Sequence, residues 1–184
     1  PIGGITSLTE LMLMEQGRSE EDITMLKLIH TSGINSLDLV NDLLISNTFI
    51  KGPEKEQVDL YLMLHYCIDI LLFKAENKKQ KLILKAKHVT ILVNREKMWR
   101  VVSNLIANAI KFSPEASEIL IQTELLTETV LIKVEDHGIG IPAEMKDKVF
   151  DMFTEAKREG TGGEKPFGLG LAICRQIVEA HGGK

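Results

Sequence analysis

At 184 residues the chain is long enough for one sizeable domain and an accessory element. Its 44% hydrophobic and 26% charged residues are those of an ordinary globular protein, and a net charge of −4 with scattered Lys and Arg excludes the basic footprint of a nucleic-acid binder. No apolar run approaches the roughly 20 residues a helix needs to cross a bilayer, and Pro1 opens into a helical pattern rather than a signal peptide.

The first segment has helix periodicity alone. Ile5, Leu8, Leu11, Met12 and Met14 make an apolar stripe that breaks at Gln16-Gly17-Arg18. Ser19 followed by Glu20, Glu21 and Asp22 reads as an N-cap with acids in the first turn. A long second helix is predicted from about Glu20 to Lys51. Ile23, Leu26, His30, Gly33, Leu37, Val40 and Leu44 step by three and four along it, as the seam of a bundle does. Gly52-Pro53 ends it. A two-helix hairpin cannot bury apolar stripes on both helices alone, so a second copy is expected to complete a four-helix bundle.

Beyond residue 53 helices alternate with strands. Helices are predicted over Leu62–Lys79, Arg95–Phe112, Ala143–Phe153 and Leu171–Ala180. Strands are predicted over Lys81–Leu84, Val89–Val93, Glu118–Leu125 and Thr129–Glu135, the last two joined by the turn Leu126-Thr127-Glu128. Thr154 to Phe167 is polar and glycine-rich, a loop of the length that lids and binding loops have. Cys67 and Cys174 fit no metal-ligand spacing and read as small buried hydrophobes of a reducing, cytoplasmic compartment.

Three segments carry residue types suited to a nucleotide. On the helix over 95–112, Arg100, Asn104, Asn108 and Lys111 share a stripe away from the apolar face of Met98, Val101, Val102, Leu105, Ile106, Ala109 and Phe112. Asn is a mediocre helix former, its amide oxygen is a hard neutral ligand for Mg²⁺, and a lysine one turn on can neutralise phosphate charge. Taken alone, such a stripe is equally what a solvated face carries. Asp136-His137-Gly138-Ile139-Gly140-Ile141-Pro142 comes directly after a strand; its glycines let backbone pass close to a flat ligand, and its carboxylate can accept from an adenine amino group. A glycine turn capped by Asp136 is the plainer reading. Gly168-Leu169-Gly170-Leu171 opens the last helix, where backbone amides make an anion site, although glycine-rich helix starts are common. It is neither a Walker A loop nor a dinucleotide fingerprint.

In order, N-L-I-A-N-A-I-K-F-S-P, D-H-G-I-G-I-P, V-F-D-M-F, F-G-L-G-L-A-I and E-A-H-G-G resemble the N, G1, F and G2 boxes of sensor histidine kinases of two-component systems. The resemblance implies an α+β chain. Residues 1–52 would be part of an antiparallel dimerisation and phosphotransfer hairpin, forming a dimeric four-helix bundle. Residues 53–184 would be a catalytic ATP-binding domain, an α/β sandwich with a mixed sheet and helices on one face. It further implies ATP and Mg²⁺ as cofactors, a homodimer, a response regulator receiver domain as partner, and no nucleic acid. Residue by residue, Asn108 matches the metal ligand; Asn104 and Lys111 match phosphate- and metal-side contacts; Asp136 matches the adenine-reading carboxylate. Gly138 and Gly140 match the purine-side loop, and Gly168, Leu169, Gly170 and Leu171 the phosphate end of the lid. Phe150 and Phe153 match the aromatic pair beneath it, a place where plain core aromatics serve equally.

The chain departs from that pattern in three places. Pro166-Phe167 stand where the family carries a further glycine, which stiffens the return of the lid. Pro1-Ile2-Gly3-Gly4 resembles the stretch just after the family's phosphoacceptor motif, so the acceptor histidine is expected upstream of Pro1. The family's closing strands are expected after Lys184. His30, lacking an acidic neighbour and lying on the seam, reads as structural. The alternatives are another ATPase or serine kinase of the same superfamily, against which the hairpin speaks, and a nucleotide-binding dimerisation scaffold, against which intact Asn108, Lys111, Asp136 and Gly140 speak.

Overall fold

Helix caps and apolar spacing set most element boundaries. A computed structural model of the chain describes residues 2–15, 17–47, 54–151, 160–163 and 170–184. It divides into two units, Pro1–Ile50 and Lys51–Lys184.

The first unit holds α1 (Ile2–Met14) and α2 (Glu20–Asn47). Ser19 caps α2 as its residue type predicts: its Oγ accepts from the Asp22 amide at 3.1 Å and donates to the Asp22 carboxylate at 2.7 Å. The seam of α2 turns toward α1. Leu26 and Gly33 are buried, Ile23, His30 and Leu37 half-buried, and Val40 and Leu44 lie outside the described side chains. Gly33 lets the two helices approach closely: a Cβ there would stand 2.6 Å from Thr6 Cγ2 of α1. Ile5, Leu8, Leu11 and Met12 of α1 and Met25, Leu28 and Ile29 of α2 remain exposed.

In the second unit β1 (Glu56–Asp59) leads into α3 (Leu60–Asn77), β2 (Lys81–Lys85), β3 (Thr90–Val93), α4 (Arg95–Phe112), β4 (Glu118–Leu125), β5 (Val130–Glu135) and α5 (Gly170–Ala180). Asp59 caps α3 by accepting from the Leu62 amide, and Asn94 caps α4 by accepting from the Lys97 amide. β1 pairs antiparallel with β3. β4 runs parallel to β2 and antiparallel to β5, giving a mixed sheet in the order β2-β4-β5. The core joins Leu60, Leu64 and Cys67 of α3, Val102 and Ile106 of α4, Ile119 and Ile121 of β4 and Ile177 of α5, all fully buried. Along β5, half-buried Val130, Ile132 and Val134 alternate with exposed Leu131, Lys133 and Glu135, so packing covers one face of the sheet.

Two expectations need correction. The helix predicted over 143–153 is absent from its described part, which shows a single 3-10 turn at Ala143–Met145 and then turns to Phe150. Of residues 143–151 only Met145 and Val149 are even half-buried, so no packed stripe supports a longer helix. β1 was not predicted at all: Glu-Gln-Val-Asp has one apolar residue, and pairing with β3 makes it a strand.

Candidate functional site

The nucleotide-type residues gather around the last two turns of α4. The helix presents Asn104, Asn108 and Lys111, all half-buried, beside a buried face of Val101, Val102, Ile106, Ala109 and Ile110. The stripe read from the sequence divides. Asn104 turns to α5: its Nδ2 donates to Cys174 Sγ at 3.2 Å, and its amide lies over Gly170 so closely that a Cβ there would stand 2.5 Å from Nδ2 and 2.8 Å from Oδ1. The glycine that opens α5 therefore leaves room for the Asn104 amide as well as offering a possible anion site. Lys111 carries its ammonium over the Phe112 ring, 5.1 Å from the centroid. The amide of Asn108 has no hydrogen-bond partner among the described residues.

The Asp136–Gly140 loop docks on the end of α4 through main chain. Ile139 N donates to Phe112 O at 3.1 Å, and Asp136 Oδ1 accepts from Gly138 N at 2.8 Å, an Asx turn that fixes the otherwise exposed carboxylate. A Cβ at Gly138 would meet Phe112 O at 2.5 Å, whereas Gly140 has open space but a φ of +62°, which favours glycine and, after it, Asn. Both glycines read as ligand-approach residues thus have a structural reason in the fold itself. Ile139 and Ile141 are exposed beside them, apolar surface of the kind a purine ring covers.

A second set of residues meets at the same helix end, and sequence reasoning missed it. Lys78, just past α3, donates to Ile110 O and Lys111 O at 3.0 Å and to Thr161 Oγ1 at 2.7 Å. Buried Gln80 donates through Nε2 to Ile110 O, Ser113 O and Pro114 O at 3.0–3.1 Å. Thr161, inside the glycine-rich loop, donates its amide to Lys111 O at 3.0 Å and its hydroxyl to Ser113 O at 2.7 Å. These groups satisfy carbonyls that a helix C-terminus leaves without intrahelical donors. No motif announced them; a lone threonine among glycines was the sole trace.

At the far end of α4, the Asn94 amide donates to His181 Nε2 at 3.0 Å while His181 Nδ1 lies 2.7 Å from Ile177 O. His181 therefore bridges the end of α5 to the start of α4. Burial pushes the Cys174 thiol up and the Cys67 thiol up to about 12, so both are neutral at physiological pH. Leu171 is half-buried in the first turn of α5 and Phe150 is exposed, while Gly168, Leu169 and Phe153 lie outside the described residues. No described helix is long and apolar enough to cross a membrane.

Residues 93–184, half of the chain, match the family described as histidine kinase-, DNA gyrase B-, and HSP90-like ATPase. The sensor histidine kinase AruS of Pseudomonas aeruginosa is 32% identical over 195 residues, spanning 100% of this chain and 19% of AruS. The chain spans between about a sixth and two fifths of the length of these curated relatives, 19% of AruS and 25% of KinB and of WalK of Bacillus subtilis among them. Full-length ShkA, solved in complex with AMPPNP, has the same fold, with a TM-score of 0.75 at 24% identity over 99% of this chain and 38% of ShkA. The histidine kinase ThkA, solved in complex with the response regulator protein TrrA, shares it with a TM-score of 0.68 at 22% identity, over 99% of this chain and 50% of ThkA. The chain belongs to the histidine kinase-, DNA gyrase B- and HSP90-like ATPases and, among them, to the sensor histidine kinases.

Proposed function

We propose that residues 53–184 bind ATP with Mg²⁺ at the α4 end and serve a protein-histidine kinase that phosphorylates a histidine of its own helical hairpin and then a response regulator receiver domain. The observation that carries this reading is the convergence on α4 of three segments distant in sequence: Asn104, Asn108 and Lys111 on the helix, Asp136–Gly140 docked on Phe112 O, and Gly170 packed on Asn104.

The donor set fits the ligand. Asn108 offers a half-buried amide oxygen with no described partner, a neutral oxygen ligand for Mg²⁺, which keeps waters and phosphate oxygens in its octahedron. Asp136, fixed by its Asx turn, would read the adenine amino group beside Gly138 and Gly140. Lys111, with Gly168, Leu169, Gly170 and Leu171 at the start of α5, would face the phosphates. When bound, Mg-ATP supplies the transferable phosphoryl group; the chain contributes position and charge neutralisation.

The exposed face of Ile5, Leu8, Met12, Met25 and Ile29 supports a homodimer through the first unit, since a monomeric helix pair leaves that stripe in water. ThkA with TrrA is the precedent for the receiver-domain partner.

Asn108→Ala tests the metal assignment. Asn108 lies outside the buried face of α4, so the fold should survive by circular dichroism. Calorimetric affinity for Mg-ATP should fall by at least about tenfold, the loss of one charge-assisted ligand contact. Unchanged affinity would remove Asn108 from the site.

A further inference from the structure

We propose that Cys174 is a positioning residue for the nucleotide site: it fixes which way the Asn104 amide points. The proposal rests on the nucleotide reading above and extends it to a residue that no motif singled out.

Cys174 sits one turn into α5, buried, with its thiol between two groups of α4. Sγ lies 3.8 Å from Val101 O, to which it donates its single hydrogen, and 3.2 Å from Asn104 Nδ2. A thiol that has given its hydrogen to a carbonyl can only accept from its other neighbour. The group facing sulfur must therefore be the amide nitrogen.

The amide also packs against Gly170: a methyl there would come within 3.0 Å of Nδ2, Oδ1 and Cγ together. With Nδ2 given to Cys174, Oδ1 is the acceptor the amide has left, and no described residue donates to it. Such an oxygen addresses a cation, a cation-bound water or a hydroxyl. A phosphate oxygen, which has no hydrogen to give, would call for the nitrogen instead. Cys174 thereby makes Asn104 a metal-side residue.

The test uses the full chain and three substitutions. Cys174→Ser keeps an acceptor and a donor; Cys174→Ala and Cys174→Val remove both. Affinities are measured for ADP with Mg²⁺ and for ADP with chelator, and the Asn104 side-chain ¹H–¹⁵N pair is followed without nucleotide. Expected are an Asn104 resonance displaced in Ala and Val but close to wild type in Ser, and Mg-dependent ADP affinity about five- to tenfold weaker in Ala and Val. The Ser variant should return to within about twofold of wild type. An unmoved Asn104 resonance in whichever of Ala or Val folds, or Mg-dependent affinity equal to wild type in it, overturns the positioning role. A wild-type chain that does not bind Mg-ADP overturns the nucleotide reading instead, and the resonance still decides the role of Cys174.

Discussion

Gly138→Ala tests whether the Asp136 loop is seated on α4 by main-chain contact. The new methyl would lie 2.5 Å from Phe112 O and 2.8 Å from Phe112 C, against a carbonyl that cannot swing aside as a flexible side chain can. That carbonyl already accepts from Ile139 N at 3.1 Å. Overpacking of this kind costs about 1–3 kcal/mol, and losing the Ile139 bond costs about 1 kcal/mol. The smaller unfolded-state entropy of alanine returns about 0.4–1 kcal/mol. A net loss of roughly 1–3 kcal/mol lowers the thermal midpoint by roughly 4–12 °C for a unit of this size. Gly140→Asn is the control: φ is +62° with nothing within 4 Å of a Cβ, and Asn tolerates that backbone, so its midpoint should stay within about 3 °C. Scanning calorimetry of both variants, with adenine-nucleotide titration, gives the readout. Equal midpoints, or a more stable Gly138→Ala, would refute the close approach to Phe112.

Thr161→Val keeps the shape of the side chain but removes the hydroxyl that Ser113 O and Lys78 Nζ share; the stability loss should be about 1 kcal/mol. Hydrogen exchange at the amides of Thr161 and Gly163 should quicken about fivefold or more, and unchanged protection would detach Thr161 from α4. Asp59 predicts an acid effect. Its hydrogen bond to His88 holds the carboxyl below its ordinary value of 3.8, so the stability it adds is present above that pH and is lost as pH falls through the depressed value. Thermal midpoints of Asp59→Asn and wild type should converge below about pH 4; parallel curves down to pH 2 would contradict it.

Legibility tracked locality. α4 could be bounded at Arg95 and Phe112 because its cap, its apolar spacing and its C-terminal Ser113-Pro114 are all local signals. The strands over 118–125 and 130–135 were legible from their alternation. β1 was not, since only β3 makes it a strand, and the helix predicted over 143–153 was overread because spacing cannot reveal that most of residues 143–151 stay exposed among the described residues. The site residues are a more instructive case. Their types marked a nucleotide, but one stripe of Arg100, Asn104, Asn108 and Lys111 suggested a shared outlook. The fold instead turns Asn104 to Cys174 and lays Lys111 over Phe112. Lys78, Gln80 and Thr161 stayed invisible because their partners are backbone carbonyls 30 to 50 residues away or, for Lys78 and Thr161, each other across 83 residues.

The crowded carbonyls of residues 110–114 bear on how this protein can drift in sequence. Every acceptor there is main chain, and every residue type supplies a carbonyl, so exchanging a side chain at Ile110 or Lys111 leaves the anchoring of both loops in place. The constraint falls on the donors. Lys78, Gln80 and Thr161 each reach two or three oxygens, and a shorter or acidic replacement at any of them removes a donor from two or three oxygens at once. Beyond the residues that face the nucleotide and the core, the constraint at this helix end should therefore fall on the quiet positions after α3 and within the loop.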